Sequence, residues 1–268
     1  MKTKEEDIRT FIRKKYAEIA QKGANECGCN CGCGTESIED LTSDTKEAST
    51  NLGYDSEELD NIPKNSNMGL GCGNPVAIAS LKEGDVVLDL GSGGGIDCFF
   101  ARSKVGESGF VLGVDMTPEM IELARKNAEE SAYNNIEFRL GEIENLPVAD
   151  GIVDVIISNC VVNLSSEKER VFKETYRVLK QGGRLCISDV VATAKLPDEI
   201  QRDLNSRAGC IGGAEHIDMI KNILKDVGFI NIKMIPKDNS KEIIESWAPG
   251  IKLDEFVASF MIEAEKPL

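Results

Sequence analysis

Short apolar runs alternate with amphipathic stretches along most of this chain. The runs lie at 85–90, 110–115, 136–140, 153–159, 184–190 and 231–235, and a seventh stretch, 255–265, reads as strand or helix. Apolar runs of this length, bounded by Gly, Asn and Asp, predict strands buried on both faces. Residues 118–131, 166–183 and 216–229 carry their apolar side chains at helical spacing, with Gly182–Gly183 and Gly228 as stop signals. Strand–helix alternation predicts a mostly parallel sheet with helices on both faces. Upstream, Ile8, Phe11, Ile12, Tyr16 and Ile19 mark a helix over 4–22. Residues 35–67 are polar and read as a linker or lid with one short helix near 56–59. Pro75 then opens another short helix, where its missing N–H is tolerated.

Composition narrows the classes. The 268 residues allow one large domain or two modest ones. Acidic residues number 46 and basic ones 31, giving a formal charge of −15. A field of that sign repels phosphate backbones and anionic membranes, so neither a nucleic acid nor a membrane is expected as partner. The charged start MKTKEEDIRT lacks the apolar core of a signal peptide, and no apolar run is long enough for a transmembrane helix. The expected location is the cytoplasm, where the nine cysteines would be reduced, metal-binding or catalytic rather than paired.

Three motifs carry the cofactor chemistry. VVLDLGSGGGID (86–97) runs from strand through glycines into helix, and Gly91, Gly93 and Gly95 let a ligand approach the backbone. Ile96 stands where a G-x-G-x-x-G fingerprint needs glycine, and the Walker A lysine is missing. LGVD ends the next strand on Asp115, placed to accept from ribose hydroxyls. GEIENLPVADGIVDVIISN (141–159) puts Glu142 and Ile143 after the third strand and Ser158 at the end of the fourth. In order and spacing these motifs resemble the class I methyltransferases that use S-adenosylmethionine (SAM), the alternative being an ordinary Rossmann-like turn for NAD. The resemblance spans about residues 70–235. It implies an α/β Rossmann-like sheet of order 3-2-1-4-5-7-6 whose last strand is antiparallel, which suits 255–265. It also implies SAM contacts from Asp89, Gly91, Ser92, Gly93, Gly95, Asp115, Met116, Glu142, Ile143 and Ser158.

The acceptor is the remaining question. An oxygen or nitrogen acceptor often needs a base. The chain has neither a D/N-P-P-Y motif after the fourth strand nor any histidine but His216, which reads as a cap or surface residue. Cysteines stand in the sensitive places instead: Cys72 in GLGCGNP, Cys160 after the fourth strand and Cys210 in RAGCIGGA. Thiols from three loops suit a soft, thiophilic centre. NMGLGCGNP, ISNCVVNLS and RAGCIGGA resemble the arsenite methyltransferases. The resemblance implies that Cys72, Cys160 and Cys210 bind As(III) beside SAM, that the arsenic lone pair takes the methyl group and leaves S-adenosylhomocysteine, and that a small-molecule or protein thiol, such as a thioredoxin-like system, serves as reductant.

The family's N-terminal cysteine or cysteine pair is replaced here by Cys27, Cys29, Cys31 and Cys33 at alternate positions, either a soft-metal-collecting segment or an unstructured one. Cys98 and Cys186 read as buried small hydrophobes. Tyr54 and Asn163 read as pocket residues, Tyr54 equally as a packing anchor, and Trp247 as packing. Two domains follow: 1–68, with the first helix, the cysteine run and the lid, and 69–268, the methyltransferase domain, with 191–215 as a substrate-site insertion. Two rivals stand beside this reading. One is a SAM methyltransferase for a small organic acceptor with structural cysteines; the other is a non-catalytic thiol-based metal(loid)-binding protein.

Overall fold

The computed structural model describes residues 4–22, 41–131, 133–247 and 252–268. In chain order the elements are α1 (Lys4–Lys22), α2 (Leu41–Asn51), α3 (Ser56–Leu59), α4 (Pro75–Ile78), β1 (Val86–Leu90), α5 (Ile96–Val105), β2 (Phe110–Asp115), α6 (Pro118–Ser131), β3 (Ile136–Leu140), β4 (Val153–Asn159), α7 (Lys168–Val178), β5 (Leu179–Ala192), α8 (Asp198–Arg202), α9 (Leu204–Ala208), α10 (Ile217–Val227), β6 (Ile230–Pro236), α11 (Ser240–Trp247) and β7 (Val257–Glu265). The seven strands form one sheet in the order β3-β2-β1-β4-β5-β7-β6. The first five are parallel, and β7 is inserted antiparallel between β5 and β6. This is the class I SAM methyltransferase fold.

The apolar runs are continuous because both faces of each central strand are buried. Alternation then sorts the side chains. Leu88, Leu90, Ile156, Leu185 and Ile187 pack on the face covered by Phe172 of α7 and Leu224 of α10. Val87, Val111, Val155, Ile157 and Cys186 pack on the opposite face, against Phe99 and Phe100 of α5 and Ile121 of α6. Cys98 and Cys186 both lie in this second core, as expected of small hydrophobes. The third cluster lies at the sheet's carboxyl edge and contains Cys72, Cys160 and Cys210.

Some elements differ from expectation. The helix expected over 166–183 ends at Val178, and Leu179 turns extended to pair with Val153. Leu179 is fully buried, so sheet packing takes it out of the helix. The register then shifts before Val155 pairs with Arg184. The Gly182–Gly183 pair therefore sits in a strand irregularity, Gly182 at φ +74°, and not at a helix end. The polar linker contains α2, whose sequence LTSDTKEASTN has too little apolar periodicity to be recognised. The segment 255–265 resolves as strand β7. His216 caps α10, its Nδ1 accepting from the Asp218 N–H at 3.3 Å. The run Cys27–Cys33 lies outside the described residues, as does the side chain of Trp247. Among the described residues no helix is long and apolar enough to cross a membrane.

Phe172 is 1% exposed, lies in the core between the sheet, α7 and α10, and does not line the cleft. Phe172→Ala is expected to lower stability by about 3–5 kcal/mol while leaving SAM affinity unchanged. Urea unfolding and isothermal calorimetry on the same preparation measure the two effects.

Candidate active site

β1 ends at the carboxyl edge and the chain must turn at once into α5. Gly91 makes that turn at φ +69°, its N–H donating to the Val114 carbonyl at 2.7 Å. A Cβ there would stand 2.3 Å from Val161. Only glycine fits, both for the backbone conformation and for the space. The Gly93 N–H donates to Asp115 Oδ2 at 3.0 Å, and Asp115 Oδ1 accepts from the Thr117 N–H at 2.8 Å. The carboxylate thereby fixes the glycine turn from the end of β2.

A cleft of about 1000 Å³, counting its open mouth, lies over this turn. Asp89, Gly91, Ser92, Gly93, Asp97 and Asp115 line one side of it. Met116 and Ile143 line another part, and Arg9 and Tyr16 of α1 also reach it. Gly95 holds the start of α5 at φ +98° without reaching the cleft wall.

Besides Gly95, two further residues expected at the cofactor do not reach this wall. Glu142 turns to α1, where Arg9 and Arg13 donate to its carboxylate at 2.9 and 3.0 Å. Its neighbour Glu144 lines the cleft instead. Ser158 is fully enclosed, its hydroxyl directed to the Leu90 carbonyl at 3.3 Å. The reason is strand alternation: Asn159, one residue on, lies on the cleft wall.

The carboxylates are electrostatically loaded. Burial pushes the Asp97 carboxyl up to about 6, opposed by hydrogen bonds from Tyr54 and Asn159. Burial and the Asp97 charge hold Asp89 well above the usual carboxylate range. Burial also raises Asp115, against the N–H groups of Thr117 and Gly93. Ser92 Oγ is buried and has no hydrogen-bond partner. An unpaired hydroxyl beside several buried carboxylates fits a cationic ligand with hydroxyl groups.

The three expected cysteines pack in one cluster beside the cleft. All are buried free thiols. The Cys72 N–H donates to Asn159 Oδ1 at 2.9 Å, and the Cys160 N–H donates to the Ser188 carbonyl at 2.8 Å. The Cys210 thiol donates to the Cys160 carbonyl at 2.6 Å. Cys160 and Cys210 hold φ of +57° and +66°, left-handed values uncommon for a residue with a side chain. Such conformations persist where the surroundings over-determine them, often at functional sites. Burial and the neighbouring thiols Cys210 and Cys72 push the Cys160 thiol well above the usual range. Cys160 also lines the cleft, so one residue belongs to both regions.

Polar residues support this cluster, and two of them, Asp189 and Lys168, were not singled out from sequence. Asp189 places a carboxylate oxygen within 4.8 Å of the sulfurs of Cys72 and Cys160. Asn163 Nδ2 donates to Asp189 Oδ1 at 2.9 Å and to the Val190 carbonyl at 2.5 Å. Tyr54 donates to Asp97 Oδ1 at 2.7 Å and stacks on Phe100, so it is a packing anchor that holds Asp97 without itself lining the cleft. Lys168 Nζ donates to the carbonyls of Ser165 and Gly213 at 3.0 and 2.8 Å, tying the Cys210 segment to the turn after β4. A polar residue near the carboxyl end of an apolar strand was the available signal for Asp189.

A methyltransferase-domain family model matches residues 81–228. An arsenite methyltransferase of Halobacterium salinarum is 49% identical over 264 residues, covering 98% of this chain and 67% of that protein. The chain belongs to the arsenite methyltransferase family. An arsenite methyltransferase of Aquipseudomonas alcaligenes is 43% identical over 62% of this chain, and the match spans 49% of that protein's length. The crystal structure of an arsenic(III) SAM methyltransferase from Chlamydomonas reinhardtii aligns with a TM-score of 0.60 at 30% identity, covering 84% of this chain and 73% of that one. Membership of this family of SAM-dependent enzymes agrees with the cleft, since the unpaired Ser92 hydroxyl and the buried carboxylates suit SAM's hydroxyls and positive charges.

SAM affinity is expected to fall with pH. Below about pH 6 Asp97 is neutral in the cofactor-free protein. It then no longer attracts the cofactor's cationic end, and affinity drops by up to about tenfold per pH unit. The same raised value means that ionising Asp97 costs stability, so the cofactor-free fold gains stability as pH falls through that range. Calorimetric SAM titrations at about pH 7.5, 6 and 5 check the first point, and an unchanged affinity refutes it.

Proposed function

We propose that this chain is an arsenite methyltransferase that uses Cys72, Cys160 and Cys210 to hold As(III) beside bound SAM, and that it serves arsenic detoxification. The observation carrying the reading is the meeting of three buried thiols at the cofactor cleft, with Cys160 on its wall. SAM supplies an electrophilic methyl group on a sulfonium. Asp89, Gly91, Ser92, Gly93, Asp115, Met116 and Ile143 form its binding surface, Gly95 shapes the turn from behind, and Asp97 offers a carboxylate to its positive charge.

Loading arsenic needs no separate proton acceptor in the overall balance. Each thiol that displaces a hydroxyl of arsenous acid yields one Cys–As bond and one water. On three sulfurs, As(III) keeps its lone pair and carries no proton to remove. This accounts for a site with three thiols, no histidine and neutral-leaning carboxylates. The cysteines orient the lone pair, and proximity supplies much of the rate. Methylation takes arsenic formally from the trivalent to the pentavalent state. A thiol reductant, small-molecule or thioredoxin-like, then supplies two electrons to restore the trivalent product. The five cysteines that are free among the described residues suit a reducing compartment such as the cytoplasm. Residues 69–268 act as the catalytic unit with 191–215 as its substrate-site insertion. Residues 1–68 form an extension whose α1 contributes Arg9 and Tyr16 to the cleft.

Incubation with labelled SAM, arsenite and a small thiol is expected to place label in methylated arsenicals. Cys160→Ser and Cys210→Ser are expected to reduce the rate by about a hundredfold or more, because each removes a bond to the acceptor. Cys186→Ser, in the remote core, is expected to stay within about twofold of the parent. Label transferred at the parental rate by Cys160→Ser and Cys210→Ser would refute the role of these thiols.

A further inference from the structure

The arsenite reading uses three thiols and leaves the Asp189 carboxylate without a role. Yet Asp189, Cys72 and Cys160 place an oxygen and two sulfurs within 4.8 Å of one another. All three residues are buried, at 3%, 0% and 8% exposure. Cys210 is oriented differently, its thiol directed at the Cys160 carbonyl. The described structure therefore presents one converged donor set, completed by an oxygen. The three-sulfur set of the function proposed above would share Cys72 and Cys160 with it and needs the Cys210 thiol to turn in.

These sets suit different ligands. Trivalent arsenic takes three soft donors in a pyramid and gains little from a carboxylate oxygen. A borderline cation such as zinc takes thiolate and carboxylate together, at about 2.3 and 2.0–2.2 Å in tetrahedral geometry. Donors on such a tetrahedron stand about 3.5–4 Å apart, so the three groups need close only slightly on an ion. Charge points the same way. Two thiolates and a carboxylate, buried together, repel one another unless a cation lies between them. A divalent ion leaves one net negative charge. Two lysines stand nearby and offset it when protonated, burial lowering both from the ordinary lysine range: Lys237 Nζ lies 3.4 Å from the Cys72 carbonyl oxygen, and Lys168 Nζ donates to the Gly213 carbonyl in the Cys210 segment. Asp189 is also held in place, Oδ1 accepting from Asn163 Nδ2 at 2.9 Å and from the Val190 N–H at 2.8 Å.

We propose that Cys72, Cys160 and Asp189 form a binding site for a thiophilic divalent cation of the zinc class, and that this cation excludes arsenite by occupying its two shared sulfurs. On binding, the two thiols lose their protons to solvent and two metal–sulfur bonds and one metal–oxygen bond form. No electron transfer is involved. The exclusion of arsenite rests on the function proposed above, but the metal site itself does not.

The test uses the full chain with Cys27, Cys29, Cys31 and Cys33 replaced by serine, so that metal on that run cannot mask the site. Zinc binding is measured by competition with a chromophoric chelator, and arsenite binding by equilibrium dialysis. Zinc is expected to bind at about one per chain. Asp189→Asn is expected to weaken zinc about tenfold or more and to leave arsenite binding in place, whereas Cys210→Ser does the reverse. X-ray absorption on the zinc-loaded parent is expected to show two sulfurs and at least one oxygen, a readout that stands even if Asp189→Asn does not fold. A parent that binds no zinc, equal zinc affinity in parent and Asp189→Asn, or a shell without oxygen overturns the proposal. Zinc bound as described by a chain that takes up no arsenite leaves the metal site standing and removes the arsenite reading.

Discussion

The side-chain amide of Asn159 joins the parts of this site. It ends β4 on the cleft wall, where its Oδ1 accepts from the Cys72 N–H at 2.9 Å. Its Nδ2 donates to the Gly73 carbonyl at 2.7 Å and to the Tyr54 hydroxyl at 2.9 Å, with Asp97 Oδ2 at 3.3 Å. One planar group thus ties the Cys72 turn, the segment that precedes it and the acidic side of the cofactor cleft. Gly71 has to be glycine for this, because a Cβ there would lie under 3 Å from the amide atoms. A buried polar network of this kind is favourable only when its members are satisfied together, so the turn, the tyrosine and the carboxylate are mutually dependent.

Cys72 lies far from Cys160 and Cys210 in sequence, and each thiol needs its own support. The Ser259 hydroxyl donates to the Cys72 carbonyl at 2.9 Å from β7. The antiparallel last strand therefore does more than close the sheet: it holds the first cysteine turn. Cys160 is held by β5 through the Ser188 carbonyl, and the Cys210 segment by Lys168 through the Gly213 carbonyl. Helix α1 adds a bridge, since the Tyr16 hydroxyl donates to the Ala208 carbonyl at 3.2 Å while its ring lines the cleft. The cleft and the thiol cluster thus share backbone supports.

Local signals made most of the sheet legible. The runs VVLDL, FVLGV and VIIS are buried on both faces and need no partner to be recognised as strands. The glycine turn and Asp115 were legible for a related reason: each acts through backbone geometry or a strand-end position that sequence spacing encodes. Leu179 was misplaced into a helix because its burial comes from pairing with Val153 on another strand. Glu142 was misplaced because its partners, Arg9 and Arg13, are more than a hundred residues away in the chain. The linker helix α2 was missed because its sequence is polar throughout.

By itself, the sequence determined the alternation of strands and helices, the glycine turn that lines the cleft, and the identity of three thiols in three turns. Those depend on side-chain periodicity, on glycine's missing Cβ and on the chemistry of sulfur, all properties of residues and their near neighbours. Only the tertiary structure decided that Asp97 and Asp189 would be buried acids, that Asn159 would hold Cys72, and that a carboxylate would stand beside two of the sulfurs. Burial and charge are set by what the rest of the chain packs around a residue, and that is fixed by long-range pairing across the sheet.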